Sequence, residues 1–550
     1  MSASDKKKLR KEQESVFITE KQRAEQKEAK KLKVYTIAFV SAMALVVLIA
    51  VASLIIRGVT QSGVFEKSTI AASVEDVQLN TVEFNYYYND AINKMYNEAY
   101  SQYSTYFELY FDSLGLDVTK PLNEQVQDKE TGATWADYFV DTALENAKSD
   151  LTMEKLAKEA GFTLSEDQQK ELQSTLSSIE TNAKLYGYSN AEQYLNIVYG
   201  YGSDMDSYSK YLERTELAHA FYENYYDELK YDDAAIRDYE KDKAADFNSY
   251  TYHSAYLSYT EFRENGTKNE ETGETEYTDE QNEAAKKKLK EAAEALATAT
   301  TLEELQAKAK EVPVNESSSI SVNKETDLLH TSINATLSKW LAADERKEGD
   351  IAAIPNLSTD AKEGDLANGY YVVYFVSRND NKTAMGNVRH LLVQFEGGTE
   401  NEETGVKEYS EEEKKTAKDE AEKYFQEWKD GEATQDSFIE MVKKYSDDSS
   451  AADGGLFEDI NPASNYVPEF LSWSIDPNRK EGDAEVIETE FGYHVMFYVG
   501  NSQLNYRDHM ITQQMKTEAQ AEWYEGALKD VSAAKLNLKH VPLDMSIANN

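Results

Sequence analysis

Hydrophobic and polar positions change their spacing several times along this chain, and each change predicts a different kind of element. Residues 34–56, VYTIAFVSAMALVVLIAVASLII, are 23 consecutive uncharged and mostly apolar positions. As a helix they are long enough to cross a bilayer core of about 30 Å. A secretory signal has an apolar core of about 7–15 residues and a small-residue cleavage site, so a retained transmembrane helix is the expectation here. From Thr69 to about Phe247 the spacing becomes helical: Phe84, Tyr88, Ile92, Met95, Ala99, Tyr103, Phe107 and Tyr110 recur at steps of three or four and share one face. Further helices are predicted over Leu151–Ala160, Ser165–Leu185, Asn190–Val198 and Ser207–Lys230, separated by glycine-bearing breaks such as EAGFT and YGYGS. Eight tyrosines fall between Asn80 and Phe111. Such a stripe is ordinarily core, and its apolar rings with polar tips also suit the holding of unfolded peptide.

From Ser249 the pattern turns to strands alternating with charged helices, and an internal repeat emerges. GTKNEETGETEYTDEQ at 266–281 matches GTENEETGVKEYSEEE at 398–413, an offset of 132, while RKEGD at 346–350 and 479–483, and Trp340 and Trp473, repeat at 133. Two copies of one α+β module, at 249–379 and 384–501, account for this. Each reads as strand, charged hairpin, helix, short loop, helix and closing strand. In the second copy NVRHLLVQF opens the module and EFGYHVMFYV closes it, with helices in TAKDEAEKYFQEWKDG and DSFIEMVKKY. The closing strand of the first copy, NGYYVVYFV, carries Tyr371 where the second carries His494. Helical spacing returns over 506–535 through Tyr506, Met510, Trp523, Ala527 and Val531, and this last helix needs an apolar partner, for which the helical N-terminal region is the natural candidate. The expected architecture is therefore multidomain: a basic tail at 1–33, a transmembrane helix at 34–56, a mostly helical domain at 69–248, two α+β modules, and a C-terminal helix and tail at 502–550.

Charge sets the orientation. Residues 1–33 carry eleven Lys/Arg against six Asp/Glu, and only Arg57 stands between the apolar span and Glu66, so the N-terminus is expected in the cytoplasm and the C-terminal mass outside. Beyond the tail, 47 basic residues face 95 acidic ones, which makes that region a poor candidate for binding nucleic acid or anionic lipid. The chain has no cysteine, so disulfides, thiolate nucleophiles and thiolate metal sites are absent together. None of the seven histidines lies in an HExxH pattern, and no GxSxG elbow occurs; a hydrolase would need a Ser-His-Asp triad assembled from distant segments.

The second copy carries VRHLLV, then KKYSDDSSAADGG, then VPEF, then FGYHVM, and in this order and spacing it resembles the parvulin family of peptidyl-prolyl cis–trans isomerases. With an anchor, a helical region before the modules and one helix after them, the whole chain resembles an extracytoplasmic foldase of the PrsA/SurA/PpiD type. The resemblance implies a polar network of His390, Asp448 and His494 as the catalytic group. It implies a proline pocket lined by Leu456, Tyr466 and Phe470, with Met496 beside it, and a Thr489 hydroxyl orienting one imidazole. Two departures are visible: the family's GGDLG turn is GGLFED here, and its Met-Gln or Met-Val pair is Tyr466 and Val467. In the first copy the same comparison sets His253 at the place of His390, Glu316 at that of Asp448 and Tyr371 at that of His494. Tyrosine neither titrates near neutral pH nor supplies imidazole's paired donor and acceptor, so that copy reads as degenerate. The implied partners are unfolded or newly exported polypeptides with X–Pro bonds and the membrane, through one helix; the resemblance also admits a homodimer. No cofactor and no metal are expected. The alternative is a pure holdase chaperone whose two modules are inactive.

Overall fold

The computed structural model describes residues 2–7, 63–268, 270, 272–315, 319–358, 361–362, 364–400 and 405–547. The predicted transmembrane segment 34–56 and most of the basic tail lie outside these residues. Among those described, no helix is long and apolar enough to cross a membrane. The chain divides into two compact units, one of residues up to Lys230 together with Lys516–Asn550, the other of Tyr231–Met515.

In the first unit the helix Thr81–Tyr103 is central, started by a reciprocal cap between Asn80 and Glu83. Phe84, Tyr88, Ile92 and Ala99 are buried as their spacing predicts, but Tyr86 and Tyr87 are buried as well, because the first two turns are packed on every side. Tyr86 meets the rings of Tyr199, Tyr208 and Tyr211 at 5.1–5.4 Å. Tyr86, Tyr87 and Tyr88 are core, whereas Tyr106, further along the stripe, is 68% exposed. The predicted single face ends at Tyr103, where Ser104 takes a left-handed φ of 50° and opens a 3₁₀ turn before Phe107–Ser113. The helix predicted from Leu151 begins at Trp135, capped by Thr134 and Asp137. Helices Glu166–Leu185, Ala191–Tyr199 and Met205–Glu228 follow close to their predicted bounds. The last helix, Tyr506–Leu528, is shorter than predicted. Beyond it Ala533–Lys535 pairs antiparallel with Ile70–Val74, which also pairs with Val77–Asn80, giving a three-stranded sheet in a region read as helical. Trp523 of that helix stacks on Tyr225 with ring centroids 4.0 Å apart.

The second unit holds two four-stranded antiparallel sheets. β1 (Ser249–Ser258), β2 (Asn323–Leu329), β3 (Ile351–Asn356) and β4 (Gly369–Asn379) lie in the order β2-β1-β4-β3. β5 (Ala384–Gln394), β6 (Leu456–Ile460), β7 (Ala484–Thr489) and β8 (Gly492–Asn505) lie in the order β6-β5-β8-β7, the same arrangement. One face of the first sheet packs on helices Asp279–Leu296 and Leu302–Lys310 and the other on Ala335–Leu341; in the second sheet these places are taken by Glu411–Asp430, Gln435–Tyr445 and Pro468–Ser474. The sequence order therefore gains two strands and a short helix between the second long helix and the closing strand.

The repeated motifs occupy matching places. At matching places in the two copies Thr267–Lys268 pairs antiparallel with Thr275–Glu276, and Thr399–Glu400 with Lys407–Glu408. In each RKEGD turn the aspartate accepts a lysine backbone N–H, Asp350 from Lys347 and Asp483 from Lys480, and the glycine N–H donates to the last strand, Gly349 to Phe375 and Gly482 to Tyr498. The arginine of each turn covers a tryptophan ring, Arg346 on Trp340 at 4.6 Å and Arg479 on Trp473 at 4.2 Å.

Candidate active site

The two central strands of the second sheet carry one histidine each. His390 on β5 pairs with Met496 on β8, and His494 pairs with Leu392. Because side chains alternate along a strand, His390, Met496, His494 and Val388 share one face. The helix Pro468–Ser474 covers that face; Pro468 at its first turn starts it and sets Phe470 over the imidazoles. His390 and His494 are 3% and 4% exposed. Their rings stack at 5.1 Å with Nδ1 to Nδ1 at 2.9 Å, a hydrogen bond that requires one nitrogen to carry the proton and the other to lack it.

Each end of the pair meets a further polar group. Thr489 Oγ1 lies 2.8 Å from His494 Nε2 and accepts the Phe491 N–H at 3.2 Å. Asp448 Oδ1 stands 3.5 Å from His390 Nε2. The loop that brings it there is fixed to β5: Ser446 Oγ accepts the N–H groups of Leu392 and Asp448, the Asp447 N–H donates to the Leu392 carbonyl, and the Asp447 carboxylate accepts from the Gln394 N–H. Asp448 itself caps the 3₁₀ turn after it, accepting from the Ser450 N–H and hydroxyl.

Burial would push Asp448 up, but His390 and the two Ser450 donors outweigh it and hold the carboxyl well below its usual range. Burial, helped by the neighbouring His390, pushes His494 well below the ordinary histidine value, so this ring is neutral. The polar groups thus form one continuous line, from Thr489 Oγ1 to His494 Nε2, across the Nδ1–Nδ1 contact to His390, and from His390 Nε2 to Asp448 Oδ1.

Beside this polar line is an apolar wall. Phe470 lies 5.3 Å from His390 and 5.7 Å from His494, and Tyr466 packs on Phe470 at 5.3 Å. Met496 is fully buried beneath. Leu456 does not join them. It pairs with Arg389, on the opposite face, whereas the next residue, Phe457, pairs with Val388 and lies 5.1 Å from His390 and 5.8 Å from Phe470. Phe457 thus takes the place expected of Leu456, and the loop residues Ser446, Asp447 and Ser450 are further supports the sequence reading did not single out. Their signal was the KKYSDDSSAADGG string itself, in which only Asp448 was assigned a role.

The first sheet corrects a second expectation. His253 pairs with Tyr374 and shares its face, the one packed on the long helices, while Tyr371 pairs with Tyr256 on the other. His253 and Tyr371 therefore point to opposite sides of the sheet. By register the residue in the place of His390 is Ser254, which pairs with Val373 as His390 pairs with Met496. Glu316 lies outside the described residues.

Residues 390–499 match the family model described as Rotamase: PPIC-type PPIase domain. No curated protein matches the chain in a sequence comparison. Among solved structures, the chain is similar to peptidylprolyl isomerase PrsA from Bacillus anthracis, at 18% identity over 27% of this chain and 59% of that one with a TM-score of 0.17. It is also similar to PrsA from Bacillus subtilis, at 13% identity over 75% and 93% with a TM-score of 0.25. A third likeness is peptidyl-prolyl isomerase ESS1 from Candida albicans, at 22% identity over 21% and 63% with a TM-score of 0.16. The match thus spans less than two thirds of the Bacillus anthracis and Candida albicans chains.

Proposed function

We propose, from the premise that residues 390–499 of this chain are a PPIC-type peptidyl-prolyl cis–trans isomerase domain, that the protein is a membrane-anchored foldase acting on exported polypeptides. Rotation about an X–Pro bond faces a barrier of about 18–20 kcal/mol and takes tens of seconds or more, slow enough to delay folding. No bond is broken, so the site needs no nucleophile. What it must favour is the twisted amide, which has lost the charge separation of the planar form and whose nitrogen has regained a lone pair.

The residues suit that task. Phe457, Tyr466, Phe470 and Met496 offer a dry, apolar seat for the proline ring, in which the less polar twisted amide is disfavoured less than the planar one. The line Thr489, His494, His390, Asp448 is a preorganised polar array at the edge of this seat, ordered before substrate arrives and needing no rearrangement as the amide twists. The single observation that carries the reading is the buried imidazole pair, 2.9 Å from Nδ1 to Nδ1 and facing Phe470.

The first module, with serine and tyrosine at the imidazole places, supports isomerisation poorly and reads as non-catalytic. Residues 34–56 serve as a single-pass anchor, with the basic tail in the cytoplasm and both modules outside. The clients are unfolded chains carrying X–Pro bonds. The test is the cis/trans relaxation rate of a short X–Pro peptide with the full chain and with His494→Tyr. Acceleration is expected from the parent, and a loss of roughly 100-fold from the variant, the scale of removing one preorganised polar group. No acceleration by the parent would leave a holdase instead.

A further inference from the structure

Tyr256 lies near the end of β1, a central strand, and is 46% exposed. Its ring tilts against Tyr371 of β4, also a central strand, with centroids 4.8 Å apart. Gly369 lies against the Tyr256 ring, and a Cβ there would come within 2.2 Å of its hydroxyl oxygen, so a side chain at 369 would displace the ring. Asn356 Nδ2 donates to the same hydroxyl at 3.4 Å.

The second module shows what this place is for. Tyr371 stands where His494 stands, and Asn356 pairs with Gly369 as Thr489 pairs with Gly492. A polar residue at the strand end and an aromatic ring in the imidazole place are therefore both present, but Asn356 bonds the hydroxyl of Tyr256, which stands in the place of Leu392, rather than Tyr371. What is missing is depth. Tyr252, 4% exposed, fills the position of Val388, and Glu325 pairs with it where Phe457 pairs with Val388. A shallow aromatic shelf remains, with exposed Leu357 next to Asn356 in sequence.

We propose that the Tyr256–Tyr371 shelf of the first module binds extended, proline-containing segments of unfolded chain without isomerising them. Tyrosine faces are the surfaces on which proline rings of extended peptides dock, and Asn356 offers an amide donor for a peptide carbonyl at the shelf's edge. Without a deep apolar seat and an imidazole pair, nothing there favours the twisted amide over the planar one. The occupant is the class of chain that the neighbouring module acts on, so this inference rests on the isomerase reading for the identity of its ligand.

The experiment uses the full chain, a fluorescent peptide of repeating Leu-Pro, and the double variant Tyr256→Ser, Tyr371→Ser. Titration is expected to show two peptides bound per parent chain and one per variant chain, with turnover of a short X–Pro peptide unchanged. Tyr256→Phe is expected to keep both sites. Gly369→Ala, whose methyl displaces the Tyr256 ring, is expected to weaken the shelf by at least about tenfold, as loss of an aromatic anchor does. One peptide per chain in both parent and variant would overturn the proposal. So would equal shelf binding of a Leu-Ala peptide, or a chain dimer abolished by the double variant, which would give the face to a second copy. Shelf binding without any turnover would instead sink the isomerase reading and leave the shelf intact.

Discussion

Leu456 and Phe457 are neighbours in the chain and opposites in the sheet. A slip of one residue moves every side chain of a strand to the other face, and two glycines just before this strand leave its phase unmarked in the sequence. The same slip explains His253, which stands one residue before the place of His390 and points away from the corresponding face. His390, His494, Asp448 and Thr489 were legible because each sits inside a string whose order and spacing fix its phase. A direct comparison follows from the faces. Phe457→Ala should lower kcat/KM for a short X–Pro peptide by roughly tenfold, since a buried aromatic wall contributes on the order of 1–2 kcal/mol of contact, while Leu456→Ala should change it little. Steady-state isomerisation rates at several peptide concentrations decide the matter, and the reverse ranking would return the proline wall to Leu456.

At the scale of elements, long helices with capping residues were readable and short edge strands were not. β2 is exposed at most of its positions and reads NKETDLL, with no alternation to mark it. The strand Ala533–Lys535 finds its partner at Ile70–Val74, a pairing across nearly the whole chain that no local pattern can announce. Where β6 joins β5, the backbone itself is the constraint. Gly455 adopts φ +64°, its carbonyl accepts the His390 N–H at 3.0 Å, and a Cβ there would stand 2.2 Å from the His390 carbonyl oxygen. Gly482 is also left-handed, at φ +87°, but open space surrounds it. Gly455→Ala should therefore destabilise the module by more than about 2 kcal/mol and depress turnover, through backbone strain plus displacement of β5 from β6. Gly482→Ala should lose only the left-handed strain, about 1 kcal/mol. Urea unfolding of the two variants checks this; equal losses would show that the close approach to His390 relaxes without consequence.

Across the whole molecule, the two units should answer a pH change in opposite directions. In the first unit, Asp90 and Tyr87 from helix Thr81–Tyr103, Asp150 and Glu154 from Trp135–Ala160, and Tyr211 and Arg214 from Met205–Glu228 converge. Arg214 bonds Glu154 at 3.1 Å and the Tyr211 hydroxyl donates to Asp90, leaving three carboxylates around one cation. Burial pushes Asp150 up to about 7, with nearby Asp90 and Glu154 adding to it against Arg214. In the unfolded chain this group ionises near 3.8. Between those values the folded state holds a proton that the unfolded state has lost, so stability falls as pH rises toward 7. His494 in the second unit is the converse case: buried, it stays neutral where the unfolded histidine, near 6.5, gains a proton. That contribution is lost as pH falls below about 6.5. Moving from pH 7.5 to 5.5 should therefore raise hydrogen-exchange protection in Trp135–Ala160 and lower it in β5 and β8. Each unit of pKa separation is worth about tenfold in protection. Asp150→Asn should reduce the rise in the first unit, where burial also pushes Asp90 up, and leave the fall in the second, because the groups belong to different cores. Parallel changes in both units would mean that the surface charge of this acidic chain, rather than these two buried groups, governs its response to pH.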